Sequence, residues 1–165
     1  MDTTEILIKI RKIVRSINLE SKKIQKEYGV SIPQVLCLNY LQHMPNYHST
    51  QGEIRKFLNL NASTVSGIID RLEKKGFLAR LPKLGDKRVV NIALTASGNK
   101  LLSKIPALLH TQLAEKLNKI ENNKLKAIEE SLDTLINMLK IEGVDASPLI
   151  TAETYIDDLM DDESI

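Results

Sequence analysis

The sequence has no tryptophan, a single cysteine, and no lysine or arginine in its last 24 residues. With Cys37 alone, no intrachain disulfide framework can exist, and a reducing, cytoplasmic setting fits. Aromatics make up only 4% of the chain, so leucine and isoleucine must build the core, as in helical bundles. No apolar run approaches membrane-spanning length, and Asp2, Glu5, Lys9, Arg11 and Lys12 interrupt any signal-peptide core, so nothing addresses the chain to a membrane. There is no glycine-rich phosphate loop and no CxxC or HxxxH spacing. Cys37, His43 and His48 make a poor zinc site, because residues six apart on a helix diverge by about 120°. His43, His48 and His110 have no nucleophile or paired acid in motif spacing, so the sequence implies no enzyme, no cofactor and no metal.

What the chain does have is a sharp charge split. Residues 1–141 hold all 23 Lys and Arg against 13 acids, a net of +10, whereas residues 142–165 hold 8 acids and no base, a net of −8. A compact basic body favours a polyanionic partner. The length allows one domain with a proper core plus an accessory arm.

Ile6, Ile10, Ile13, Ile17, Ile24 and Tyr28 recur at helical steps and predict a long first helix ending at Gly29. Ser31 caps a second, with Pro33 in its first turn, which runs to the Pro45 break. Ser49 or Thr50 opens a short third helix, with Ile54, Phe57 and Leu58 turned inward. After a polar stop at Asn59–Asn61, a fourth helix buries Val65, Ile69 and Leu72 and ends at Gly76. Phe77–Leu81 and Val89–Leu94 are the only convincing strands, and PKLGDKR between them is a turn. Thr95 caps a long fifth helix reaching Leu117 and kinked by Pro106, and a sixth carries Leu125, Ile128, Leu132, Leu135, Ile136 and Leu139.

Two short helices joined by a polar turn and followed by a basic-tipped hairpin describe a winged helix-turn-helix. A helix fits the major groove of duplex DNA, and a hairpin reaches the flanking minor groove. Opposite the buried stripe of the fourth helix lie Ser63, Ser66, Gly67 and Lys74, with Thr64 and Arg71 at the borders. That face is small near its start, where backbone can approach a groove, and cationic further along. Asp70 also points outward, where phosphate would repel it, so pairing with Lys74 or a wing arginine is expected.

NASTVSGIIDRLEKKGFLAR, the D-x-R in GDKR, and NIALTASG are together similar to the MarR family of bacterial winged-helix regulators, over roughly residues 5–140. The resemblance implies a mainly α fold with a small β-hairpin. Residues 31–95 would form the DNA-binding domain, with a recognition helix at about 62–75 and a wing at about 77–94; residues 1–30 and 96–141 would form a helical dimerisation domain, and 142–165 an acidic extension. It implies a cytoplasmic transcriptional regulator, a repressor in type, bound as a homodimer to a pseudo-palindromic double-stranded DNA operator. Carried over residue by residue, Asp86 braces the wing turn, Arg88 probes the minor groove, and Lys83 and Lys87 contact phosphate. Leu84 departs from the usual polar tip.

Many members of the family release DNA on binding a small, often aromatic, anion. Tyr40, His43, Met44, Tyr47 and His48, with Arg15 nearby, either make such an effector pocket or simply pack and solvate the end of the second helix. Cys37 lies mid-helix among apolar neighbours, where a thiol is usually inert rather than a redox sensor. VDASPLI, residues 144–150, is similar to the C-terminal signature of MarR-type regulators of compatible-solute genes, which implies an osmotic signal. The acidic extension is either a solvated tail or a competitor of DNA for a basic surface. The rival to DNA binding is a module that binds a protein partner through the winged helix.

Overall fold

The computed structural model describes residues 2–83 and 85–144; Leu84, the acidic extension from 145 onward and most of VDASPLI lie outside the described residues. The described chain falls into two compact units, residues 2–106 and 107–144.

In the first unit, helix α1 (Thr3–Tyr28) starts at Asp2, whose carboxylate accepts a hydrogen bond from the Thr4 amide, and stops at Gly29. Helix α2 (Ile32–Gln42) is set by a capping box: the Ser31 hydroxyl takes the Gln34 amide while the Gln34 side chain takes the Ser31 amide. This is the central helix, buried from Ile32 to Leu38 and again at Leu41. A single 3-10 turn (Pro45–Tyr47) leads into strand β1 (His48–Thr50). Helix α3 (Gln51–Leu58) has its own capping box, between Thr50 and Glu53, and helix α4 (Ala62–Lys74) follows after three residues. Strands β2 (Leu78–Arg80) and β3 (Asn91–Leu94) form the wing, and helix α5 (Ala96–Lys104) begins at the Thr95 cap.

The architecture is mainly α with a small sheet, as the sequence predicts, but the sheet has three strands in the order β1-β3-β2, all antiparallel. Ser49 stands opposite Ile92, and so does Arg80 from the other side. Helix α2 packs against α3, α4, α5 and β3, and the core is closed by Ile24, Ile54, Val65, Ile69, Leu72, Leu78 and Ile92. Phe57 is not turned inward as expected. It is 49% exposed and stacks on Tyr40, with ring centroids 4.7 Å apart.

The second unit holds helices α6 (Leu109–Leu117) and α7 (Asn122–Leu139), neither of which has a buried residue. The expected single helix from Thr95 to Leu117 is therefore two. Pro106 breaks it rather than kinks it: Ile105, forced out of helical geometry by the ring that follows, sits at φ −82, ψ 127, and the helix restarts only at Leu109. The apolar stripe of α7 faces outward, with Ile128, Leu132 and Ile136 exposed. Helix α1 likewise exposes Leu7, Ile13, Val14 and Leu19 along its first two-thirds. No helix among the described residues is long and apolar enough to cross a membrane.

Candidate nucleic-acid interface

Helix α4 is anchored at its start by Asn61, whose side-chain oxygen accepts from the Thr64 amide and from the Ser63 hydroxyl, both at 2.8 Å. Val65, Ile68, Ile69 and Leu72 are buried, which orients the rest of the helix outward. Ser63, Asp70 and Lys74 are exposed, while Thr64, Ser66, Gly67 and Arg71 are half-buried along the same outer face. Gly67 has a specific use: a Cβ there would stand 3.4 Å from an Arg71 guanidinium nitrogen, so the arginine lies across the bare glycine one turn earlier. The outer face thus begins with small hydroxyl-bearing residues and becomes cationic toward Lys74.

The helix ends at Lys74 with Lys75 as its C-cap, and Gly76 takes φ 78, a left-handed turn that suits glycine and sends the chain into the wing. Lys75 itself is turned away: its ammonium donates to the Gly29 carbonyl at the α1–α2 turn, and burial lowers its pKa. Thr95 ties the far end of the wing to the same corner. Its hydroxyl donates to the Gly76 carbonyl at 2.6 Å and accepts from the Gly98 amide at 3.1 Å, while its amide donates to Phe77 O.

At the wing tip Asp86 accepts two hydrogen bonds through one oxygen, from the Arg88 amide at 3.0 Å and from Arg88 Nε at 3.3 Å. The Arg88 side chain is 92% exposed, so the contact orients a guanidinium that is otherwise in solvent. Lys83, three residues before Asp86, and Lys87, between Asp86 and Arg88 in this turn, are both exposed. Below it, a groove of about 320 Å³ runs between α3, the start of α4 and the wing root; Val65, Val89 and Val90 line it, with Arg55, Arg88 and Gln51 around them.

Of the two partners expected for Asp70, Lys74 or a wing arginine, the structure shows an arginine, Arg80. One Arg80 nitrogen, Nη2, meets Asp70 Oδ1 at 2.5 Å, and Nη1 meets Glu73 Oε1 at 2.7 Å. The Arg80 amide also donates to the other Glu73 oxygen at 2.9 Å. The Arg80 amide and guanidinium hold the Glu73 carboxyl below its usual pKa, and the two carboxylates raise that of Arg80 against the effect of burial. Arg55 and Arg80 are absent from the residues the sequence singles out. Asp70 and Glu73, three apart on one helix edge, are the signal from which Arg80 could have been found.

The proposed effector residues are spread over several elements. Tyr40 is engaged with Phe57, His43 Nδ1 lies 2.8 Å from the Asn39 carbonyl, and the Tyr47 amide donates to Met44 O. His48 opens β1 opposite Ala93, and Arg15 is exposed on α1. None of the six lines the groove at the wing root. Among the described residues no group of histidine, cysteine and acidic side chains could hold a metal ion.

The family described as MarR family matches residues 30–90. YsmB of Bacillus subtilis, an uncharacterized HTH-type transcriptional regulator, is 25% identical over 79% of this chain and 88% of its own length. The transcriptional repressor MprA of Escherichia coli is 25% identical over 74% of this chain and 71% of its own. Among solved structures, Sco3205 of Streptomyces coelicolor, a MarR family transcriptional regulator in complex with DNA, aligns with a TM-score of 0.59 at 20% identity, covering 90% of this chain and 95% of that one. A Staphylococcus aureus MepR–DNA complex aligns with the same score at 21% identity, over 84% and 98%. At such identities the structural likeness shows the fold.

Proposed function

We propose that this chain, whose residues 30–90 match the MarR family, is a MarR-type regulator that represses transcription as a homodimer seated on a pseudo-palindromic duplex operator. It is a DNA-binding regulator and not an enzyme. The observation that carries the finer reading is the pairing of an outward helix face, small then cationic, with an arginine held in solvent by Asp86. Helix α4 enters the major groove, where Ser63, Thr64, Ser66, Gly67, Arg71 and Lys74 meet base edges and phosphates. The wing lies over the adjacent minor groove with Arg88 as its probe and Lys83 and Lys87 on the backbone. Arg55, at the groove beneath, adds a phosphate contact from α3.

The exposed apolar residues of α1 and of α7 each support self-association, because large apolar side chains left in water favour a partner that covers them. A cytoplasmic location follows from the function. Release by a small anion near Tyr40, His43, Met44, Tyr47, His48 and Arg15, or by an osmotic signal, belongs to the same reading.

Selection of duplexes from a random-sequence pool tests it. The expected result is an inverted repeat with half-sites one turn apart, roughly 34–36 Å, bound by two chains in sedimentation. Recovery of no enriched duplex, or of a single half-site bound by one chain, would overturn the proposal.

A further inference from the structure

We propose that Arg80 is a positioning residue for DNA binding: it fixes the wing to the recognition helix and masks the two carboxylates that this helix would otherwise present to phosphate. The inference rests on the duplex-binding reading above.

Asp70 and Glu73 are the only acids on α4, and they sit one turn apart on the helix that carries Ser66, Arg71 and Lys74. The Asp70 side chain is 60% exposed. An unpaired carboxylate there would face the like charge of the DNA backbone. Arg80 takes both acids with the two ends of a planar fork, and its backbone amide takes the remaining Glu73 oxygen. Three bonds from one residue fix the orientation of β2 against α4 as well as its distance. From there the geometry passes outward, because Arg80 stands opposite Ile92 and the next amide, Leu81, donates to Asn91 O at 2.8 Å. The pose of β3, and of Arg88 three residues before it, is therefore tied to the recognition helix through Arg80. A lysine could supply charge at this position but not a fork.

The test uses the full chain and the duplex that the wild-type protein selects. Arg80→Gln is expected to weaken binding about tenfold, while circular dichroism at the assay temperature stays that of the folded protein. Its hydroxyl-radical footprint should keep the major-groove tracts and lose the flanking protection that the wing gives, a pattern that a general loss of stability does not produce. Arg80→Lys should recover part of the affinity. Adding Asp70→Asn to Arg80→Gln should recover the repulsive share of the loss without restoring the flanking protection. Should Arg80→Gln not fold, Glu73→Gln removes half of the clamp, and an unchanged footprint in that variant overturns the inference. A folded Arg80→Gln protein with wild-type affinity and footprint overturns the inference alone; a wild-type chain that selects no duplex overturns the DNA-binding reading with it.

Discussion

Cys37 is wholly buried in α2, and burial pushes its thiol up to about 12. At pH 8 the group is therefore protonated, and the thiolate that would react with an oxidant is scarce. A thiol reagent such as dithionitrobenzoate should leave the native protein unmodified at that pH and titrate one thiol per chain in denaturant; reaction of the folded protein within minutes would make Cys37 a sensor candidate after all. The opposite design holds at Arg88, which is almost entirely in solvent yet is held by Asp86 through both its amide and its guanidinium. An exposed arginine without that brace would sample many rotamers and lose their entropy on binding. The acid two residues before it reduces that loss, which accounts for a carboxylate among the bases of the wing tip.

Between α4 and the wing, the chain is stitched at two levels, by Arg80 on one side and by Thr95 and Gly98 at the α4–α5 corner. Gly98 permits the second. A Cβ at this position would stand 2.0 Å from the Phe77 carbonyl oxygen and 2.7 Å from a Leu94 methyl carbon. Gly98→Ala should therefore destabilise the fold by about 2 kcal/mol and lower the melting temperature by roughly 4–8 °C, with a weaker wing contact to DNA; a melting curve identical to wild type would contradict the close approach. The helices of this region are legible in the sequence largely through their caps: Ser31 and Thr95 cap where expected, Thr50 rather than Ser49 caps α3, and Asn61, read only as part of a polar stop, caps α4. Strand β1 is not legible. His48–Thr50 is too short to show alternation, and its pairing depends on β3, more than 40 residues later. Phe57 misleads for a related reason, since its aromatic partner Tyr40 lies on another helix and lets it stay at the surface. Pro106 was visible, but whether proline kinks or ends a helix depends on the residue before it, and Ile105 goes extended.

On the scale of the whole chain, the split between a basic body and an acidic extension is the dominant electrostatic feature. Deleting residues 145–165 removes seven acids and no base. If the extension competes with DNA, the truncated protein should bind duplex more tightly at about 50 mM salt, with the difference fading as salt screens both contacts near about 0.3 M; equal affinity at every salt concentration would leave the tail without that role. The basic body itself is expected to hold duplex DNA chiefly through phosphates, with α4 and the wing placing the contacts. The most direct check of that claim is duplex affinity as a function of salt for the wild type and for Arg88→Ala. The logarithm of affinity should fall linearly with the logarithm of salt concentration, and the variant should bind more weakly with a slope shallower by about 0.9, because the Arg88 guanidinium in the minor groove no longer displaces a counterion from the duplex. An Arg88→Ala protein with the same affinity and the same slope would contradict the account.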